Sequence, residues 1–169
     1  MNSEWKIEVD SFGVIRVSGN LIDELSKYRQ LSSSSPESGG VILGSHLNSG
    51  GKFYIDRYTP PQPEDKQTRC SHFRSSTHSS ICQKIWEETQ GHTTFLGLWH
   101  THPEPIPMYS SVDKADWIKA LKKAQYEGHH LLFFIIGQSH IRCWLGSKGA
   151  LFQKIKLIGE YEINKYEVE

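Results

Sequence analysis

The chain has 169 residues, enough for one domain spanning 1–169 with a core of its own. Its 19 basic and 19 acidic side chains cancel, so no global field draws it to nucleic acid or to an anionic membrane. The longest apolar run, 131–136, is far short of the roughly 20 residues that cross a bilayer.

Residues 5–17 alternate (Ile7, Val9; Val14, Ile15, Val17) around Gly13 and predict a strand or short hairpin. Residues 20–29 place Leu21, Ile22, Leu25 and Tyr28 at helical spacing, with Asn20 as the expected N-cap. The polar run Ser32-Ser33-Ser34-Ser35-Pro36 is a loop. Glu37-Ser38-Gly39-Gly40 then leads into the buried strand Val41-Ile42-Leu43-Gly44. A hairpin through 48–51 returns as a strand at 53–58. Residues 59–69, rich in Pro and charge, predict an irregular functional loop. Residues 75–90 predict a helix with Ile81, Ile85 and Trp86 inward, ended by Gly91.

Residues 93–102 form a strand, and prolines 105 and 107 stiffen a loop at 104–109. A helix is expected over 111–127, with Trp117, Ile118, Leu121 and Ala124 on one face, followed by strands at 129–136, 141–145 and 152–163. Alternating helices and strands predict an α/β (α+β) mixed sheet flanked by helices. The start of the chain lacks the basic flank and apolar stretch of a secretory signal. Cys70, Cys82 and Cys143 are odd in number and lack C-x-x-C spacing, as reduced thiols in a cytoplasmic protein would be.

The chemistry concentrates at Trp99-His100-Thr101-His102-Pro103, followed by Ser110 and Asp113. Two histidines at i and i+2 on a strand share one face, and Pro103 stops that strand. A carboxylate in the first turn of the next helix can return to both imidazoles. Two imidazole nitrogens and one Asp oxygen leave a tetrahedral zinc with one open position, the arrangement of a catalytic rather than a structural ion. Zinc brings the pKa of bound water to about 7. Glu37 is the candidate base for that water, and Ser110 the candidate donor to a tetrahedral oxyanion. Each residue also has a plainer reading. Ser110 to Asp113 resembles a helix capping signature, Glu37 could be a solvated loop carboxylate, and a lone H-x-H is weak evidence. Their conjunction is what argues for a metal centre.

Glu37, His100-Thr101-His102-Pro103, Ser110 and Asp113 resemble the JAMM motif of the MPN+ metalloprotease family: Glu, then H-x-H, seven residues, Ser, two residues, Asp. The similarity covers about residues 6–150. It implies a cytidine-deaminase-like mixed sheet flanked by helices, with one catalytic Zn2+ held by His100, His102 and Asp113. Glu37 and Ser110 would be the catalytic residues. The implied reaction is cleavage of isopeptide or peptide bonds after the C-terminal tail of a ubiquitin-like protein.

The wider pattern comprises Glu37 to Gly44, the helix bearing Trp86, and Trp99 to Glu104 ahead of Trp117. It is similar to the stand-alone bacterial subgroup that includes the deconjugating peptidases of CBASS antiphage operons. That subgroup acts beside an E1/E2-like protein and releases a conjugated cGAS-like nucleotidyltransferase. Two other readings stay open: a processing protease for a ubiquitin-like or sulfur-carrier precursor, and a non-catalytic MPN-type scaffold. The short path from the helix at 111 to the strand at 129 leaves no room for the insertion of polyubiquitin-specific members. Residues 59–69 and 104–109 are the expected walls of a tail channel, with Met108 and Tyr109 as contacts.

Overall fold

The computed structural model describes residues 2–68 and 71–163. Eight strands form one mixed sheet: β1 (Trp5–Val9), β2 (Gly13–Val17), β3 (Gly39–His46), β4 (Phe53–Tyr58), β7 (Thr94–Thr101), β8 (His130–Ile136), β9 (His140–Ser147) and β10 (Lys154–Glu162). Across the sheet they stand in the order β1-β2-β4-β3-β7-β8-β9-β10. Only β2–β4 and β7–β8 pair in parallel; the other neighbours are antiparallel. A two-stranded ribbon joins β5 (Lys66–Thr68) to β6 (Ser71–Phe73).

The sheet separates two cores. On one face α1 (Gly19–Ser26) lays Leu21, Ile22 and Leu25 against Ile15, Ile55 and Trp99. On the other, α2 (Thr77–Glu88) and α3 (Ser111–Lys123) pack Ile85, Trp117 and Leu121 against Val41, Leu98 and Trp144. Strand β8 serves both: Leu132, Phe134 and Ile136 face α1, while Leu131, Phe133 and Ile135 face α2 and α3. That double burial is why its sequence is an unbroken apolar run. At Gly97 a Cβ would sit 1.7 Å from the Leu132 carbonyl oxygen, so only glycine lets β7 and β8 approach this closely.

The mixed sheet with flanking helices is the architecture expected, and the 5–17 hairpin and the 48–51 turn form, with Gly50 and Gly51 at positive φ. Four local expectations are corrected. Asn20 is not the cap of α1: Ser18 stands there without a side-chain cap bond, and its amide is committed to the Ile55 carbonyl. The 59–69 segment is not wholly irregular, because past its prolines Lys66–Thr68 enters the ribbon. Helix α3 ends at Lys123 rather than near 127, since Ala124 is extended and Tyr126 folds back to donate its hydroxyl to the Leu121 carbonyl. Trp86 is 48% exposed rather than inward. The inward stripe of α2 runs through His78, Ile81, Cys82 and Ile85, and one further residue rotates Trp86 off it. Cys82 and Cys143 are free thiols, each with its pKa raised by burial; Cys70 lies outside the described residues.

Candidate metal centre

Alternation along β7 sends Trp99 and Thr101 toward the α1 face and His100 and His102 toward α2 and α3. The His100 ring stands 6.1 Å from that of Trp117, which stacks on Phe133 at 4.6 Å. Aromatic packing therefore backs the site. Asp113 arrives from the first turn of α3. Its position there is fixed by a capping box, in which the Ser110 amide donates to Asp113 Oδ2 at 2.8 Å and the Asp113 amide donates to Ser110 Oγ at 3.1 Å. The capping signature in the sequence is real, and the same carboxylate also turns to the histidines.

Donor atoms of Glu37, His100, His102 and Asp113 lie within 4.8 Å of one another. The His100 and His102 Nε2 atoms are 3.1 Å apart. Asp113 places Oδ1 at 3.2 Å from the first and Oδ2 at 3.0 Å from the second. Two donors on a tetrahedral zinc at 2.0–2.1 Å stand about 3.3 Å apart, so the imidazole–imidazole distance and each imidazole–carboxylate distance lie near what such an ion requires. The donor set, two imidazoles and a carboxylate, is one that divalent metals including zinc accept.

The electrostatics agree. Burial lowers the pKa of His100 despite its Asp113 hydrogen bond, keeping the ring neutral and able to ligate. Burial also opposes the charge on His102, but hydrogen bonds to Asp113 and Glu104 override it and raise the pKa to about 9. Asp113 is held far below the usual carboxylate range: the two histidines and the Ser110 amide outweigh its burial. Glu37, 5% exposed, is pushed up to about 7 by burial, with the Asp113 charge adding and His102 opposing. The Asp113 and Glu104 carboxylates on either side of the His102 ring thus make this a place that favours positive charge.

Glu104, missed as a functional residue in the sequence, accepts from Nδ1–H of His102 at 3.1 Å and so fixes the tautomer that aims Nε2 at the site. Its position two residues past His102, beyond a strand-ending proline, was the available signal. Ser110 sits beside the cluster as the exposed cap of α3.

A groove of about 1330 Å³ is lined by residues of α2 and α3 together with Glu37, His100 and Asp113. Val41 and Leu98 line its floor, Trp86 one wall and Val112 the other. Neither 59–69 nor 104–109 lines it among the described residues. Asp65 is turned inward to the amides of Gln62 and Ser75 and to His78, tying the first segment down. Tyr109 packs on Trp117 and Trp144, although Met108 is exposed.

The family model for prokaryotic homologs of the JAB domain matches residues 20–147. The chain belongs to that family. The match takes in every element of this JAB domain from α1 to β9, including all four clustered side chains and Ser110. Three relatives carry the name "CD-NTase/cGAS isopeptidase". The protein of Vibrio cholerae serotype O1 is 31% identical over 90% of this chain and 94% of its own. That of Escherichia coli is 28% identical over 88% and 91%, and that of Pseudomonas aeruginosa 30% over 91% and 98%. No helix among the described residues of this JAB domain is long and apolar enough to cross a membrane.

Proposed function

We propose that this JAB-domain chain is a zinc-dependent isopeptidase of the JAMM type, acting as one domain over 1–169 in the cytoplasm. It cleaves the bond after the extended C-terminal tail of a conjugated cGAS-like nucleotidyltransferase, or of a ubiquitin-like protein, in antiphage defence. An E1/E2-like protein would supply the conjugates. The observation that carries this reading is the convergence of Glu37, His100, His102 and Asp113 beside the α2–α3 groove. The names of the three relatives support the substrate class.

His100, His102 and Asp113 would hold the zinc. When bound, the ion supplies Lewis acidity, activating water and polarising the scissile carbonyl. Glu37 takes a proton from the attacking water at its carboxylate and returns it to the departing amine nitrogen. Its burial, which favours the protonated form, suits the second half of that cycle. Ser110 Oγ accepts from the Asp113 amide and keeps its own proton free to donate to the oxyanion. The groove orients an extended tail along α2 and α3 before the bond reaches the acid group.

The test is metal content by atomic emission on the purified protein and on His102→Ala and Asp113→Ala, paired with cleavage of GFP fused after the nucleotidyltransferase tail. Stoichiometric zinc lost in both variants, with scission at the tail junction, is the expected result. Wild-type protein with neither zinc nor cleavage would point to a scaffold instead.

A further inference from the structure

The residue between the two histidines faces away from the candidate metal, and its partners explain how Glu37 reaches it. Thr101 is fully buried on the α1 side of the sheet. Its amide donates to the Ser38 carbonyl at 2.9 Å, and its Oγ1 accepts from the Ser38 amide, also at 2.9 Å. The hydroxyl proton goes to Oε1 of Gln30, again at 2.9 Å. Gln30 is fully buried too, and its Nε2 donates to the Ser35 carbonyl. Gln138 in turn donates its side-chain amide to the Gln30 carbonyl. One connected set of hydrogen bonds thus links the segment after α1, the serine-rich loop, the residue after Glu37, and the strand carrying His100 and His102.

We infer that Thr101 and Gln30 are positioning residues that hold the Glu37 carboxylate over the metal site from the opposite face of the sheet. The ladder begins only at Gly39, paired with His100. Upstream of it, Ser32 to Ser34 and Pro36 are exposed, and Ser35 is only half-buried, so this loop gives Glu37 little packing support. The reciprocal Thr101–Ser38 pair extends the pairing by one residue, to the neighbour of Glu37. Threonine supplies what the position needs: a hydroxyl that accepts from one amide while donating to a side-chain carbonyl. A site whose acid is set this way keeps its geometry only while the second layer is intact.

This inference rests on the peptidase reading for its kinetic part, and its structural part is read on the protein alone. The variants are Thr101→Val, which keeps the shape and removes the hydroxyl, Thr101→Ser, which keeps the hydroxyl, and Gln30→Met. Amide hydrogen exchange over residues 31–38 is expected to accelerate at least about tenfold in Thr101→Val and Gln30→Met and to return to wild-type rates in Thr101→Ser. Zinc stoichiometry and KM are expected to stay unchanged while kcat falls about 10- to 100-fold in the first two variants, with Thr101→Ser rescued. Unchanged exchange in a folded Thr101→Val or Gln30→Met overturns the proposal, as does a Thr101→Ser variant as impaired as Thr101→Val. Should Thr101→Val fail to fold, Gln30→Met and Thr101→Ser decide. An inactive wild type would sink the peptidase reading and leave the exchange result standing.

Discussion

Glu104 holds His102 from behind: its Oε1 lies 3.1 Å from Nδ1 of the ring and also receives the Met108 amide at 2.9 Å. The second bond anchors the carboxylate on its own loop, so its grip on the imidazole does not depend on a free side chain. Glu104→Ala is expected to weaken zinc binding about 10- to 100-fold, as outer carboxylates of metal-ligating histidines typically do. Competition against a chromophoric chelator measures this. Unaltered affinity would remove Glu104 from the site.

Glu37 has a different proposed role. With His100, His102 and Asp113 as the proposed ligands, Glu37→Ala is expected to retain one zinc per chain and lose turnover by about 10²- to 10⁴-fold. Parallel zinc analysis and GFP-release assays separate the two effects. Full cleavage by the variant would exclude Glu37 from proton transfer.

The tryptophans divide by environment. Trp117, fully buried and stacked on Phe133, is expected to cost about 3–5 kcal/mol when replaced by alanine. Trp86, exposed on the groove wall, is expected to leave stability within about 0.5 kcal/mol of wild type in Trp86→Ala. That variant should instead raise KM for tail substrates. Guanidinium unfolding and steady-state kinetics on both variants check the division; an unaltered KM in Trp86→Ala would mean that the tail runs elsewhere.

Acid stability should depend on Asp65. Its buried carboxylate accepts from the Gln62 and Ser75 amides and pairs with His78 at 2.7 Å. Burial alone would raise its pKa, but these bonds hold it well below the ordinary value. A carboxylate depressed in the folded state contributes stability above its unfolded pKa of about 3.9, and loses it as pH falls through the folded value. Asp65→Asn is therefore expected to destabilise the protein by about 1.5–3 kcal/mol at pH 7 and by progressively less below about pH 4. Urea midpoints across pH 2–7 test this. A constant gap at every pH would contradict the assignment.

What could be read in the sequence was whatever local periodicity encodes. The i, i+2 spacing of His100 and His102 defines a shared face on any strand, and the Ser110–Asp113 spacing defines a helix start, so their meeting followed from two local rules. The doubly buried β8 was legible as an apolar run for the same reason. Features decided by tertiary contact were not legible. Trp86 lies one step off the inward stripe of α2, a rotation that composition does not reveal. The early end of α3 depends on Tyr126 reaching back to Leu121, and the groove walls depend on how α2 and α3 sit over the sheet. Glu104 was visible as a letter, but only the turn after Pro103 gives it a partner.

Asp113 satisfies a helix start and a pair of imidazoles with the same two oxygens, and that leaves the position without a conservative replacement. Asparagine would preserve the turn while surrendering the charge. Glutamate would preserve the charge while carrying it one methylene too far to serve both neighbours. A site so constrained ties the onset of a helix to the chemistry beside it, and neither can be redesigned alone.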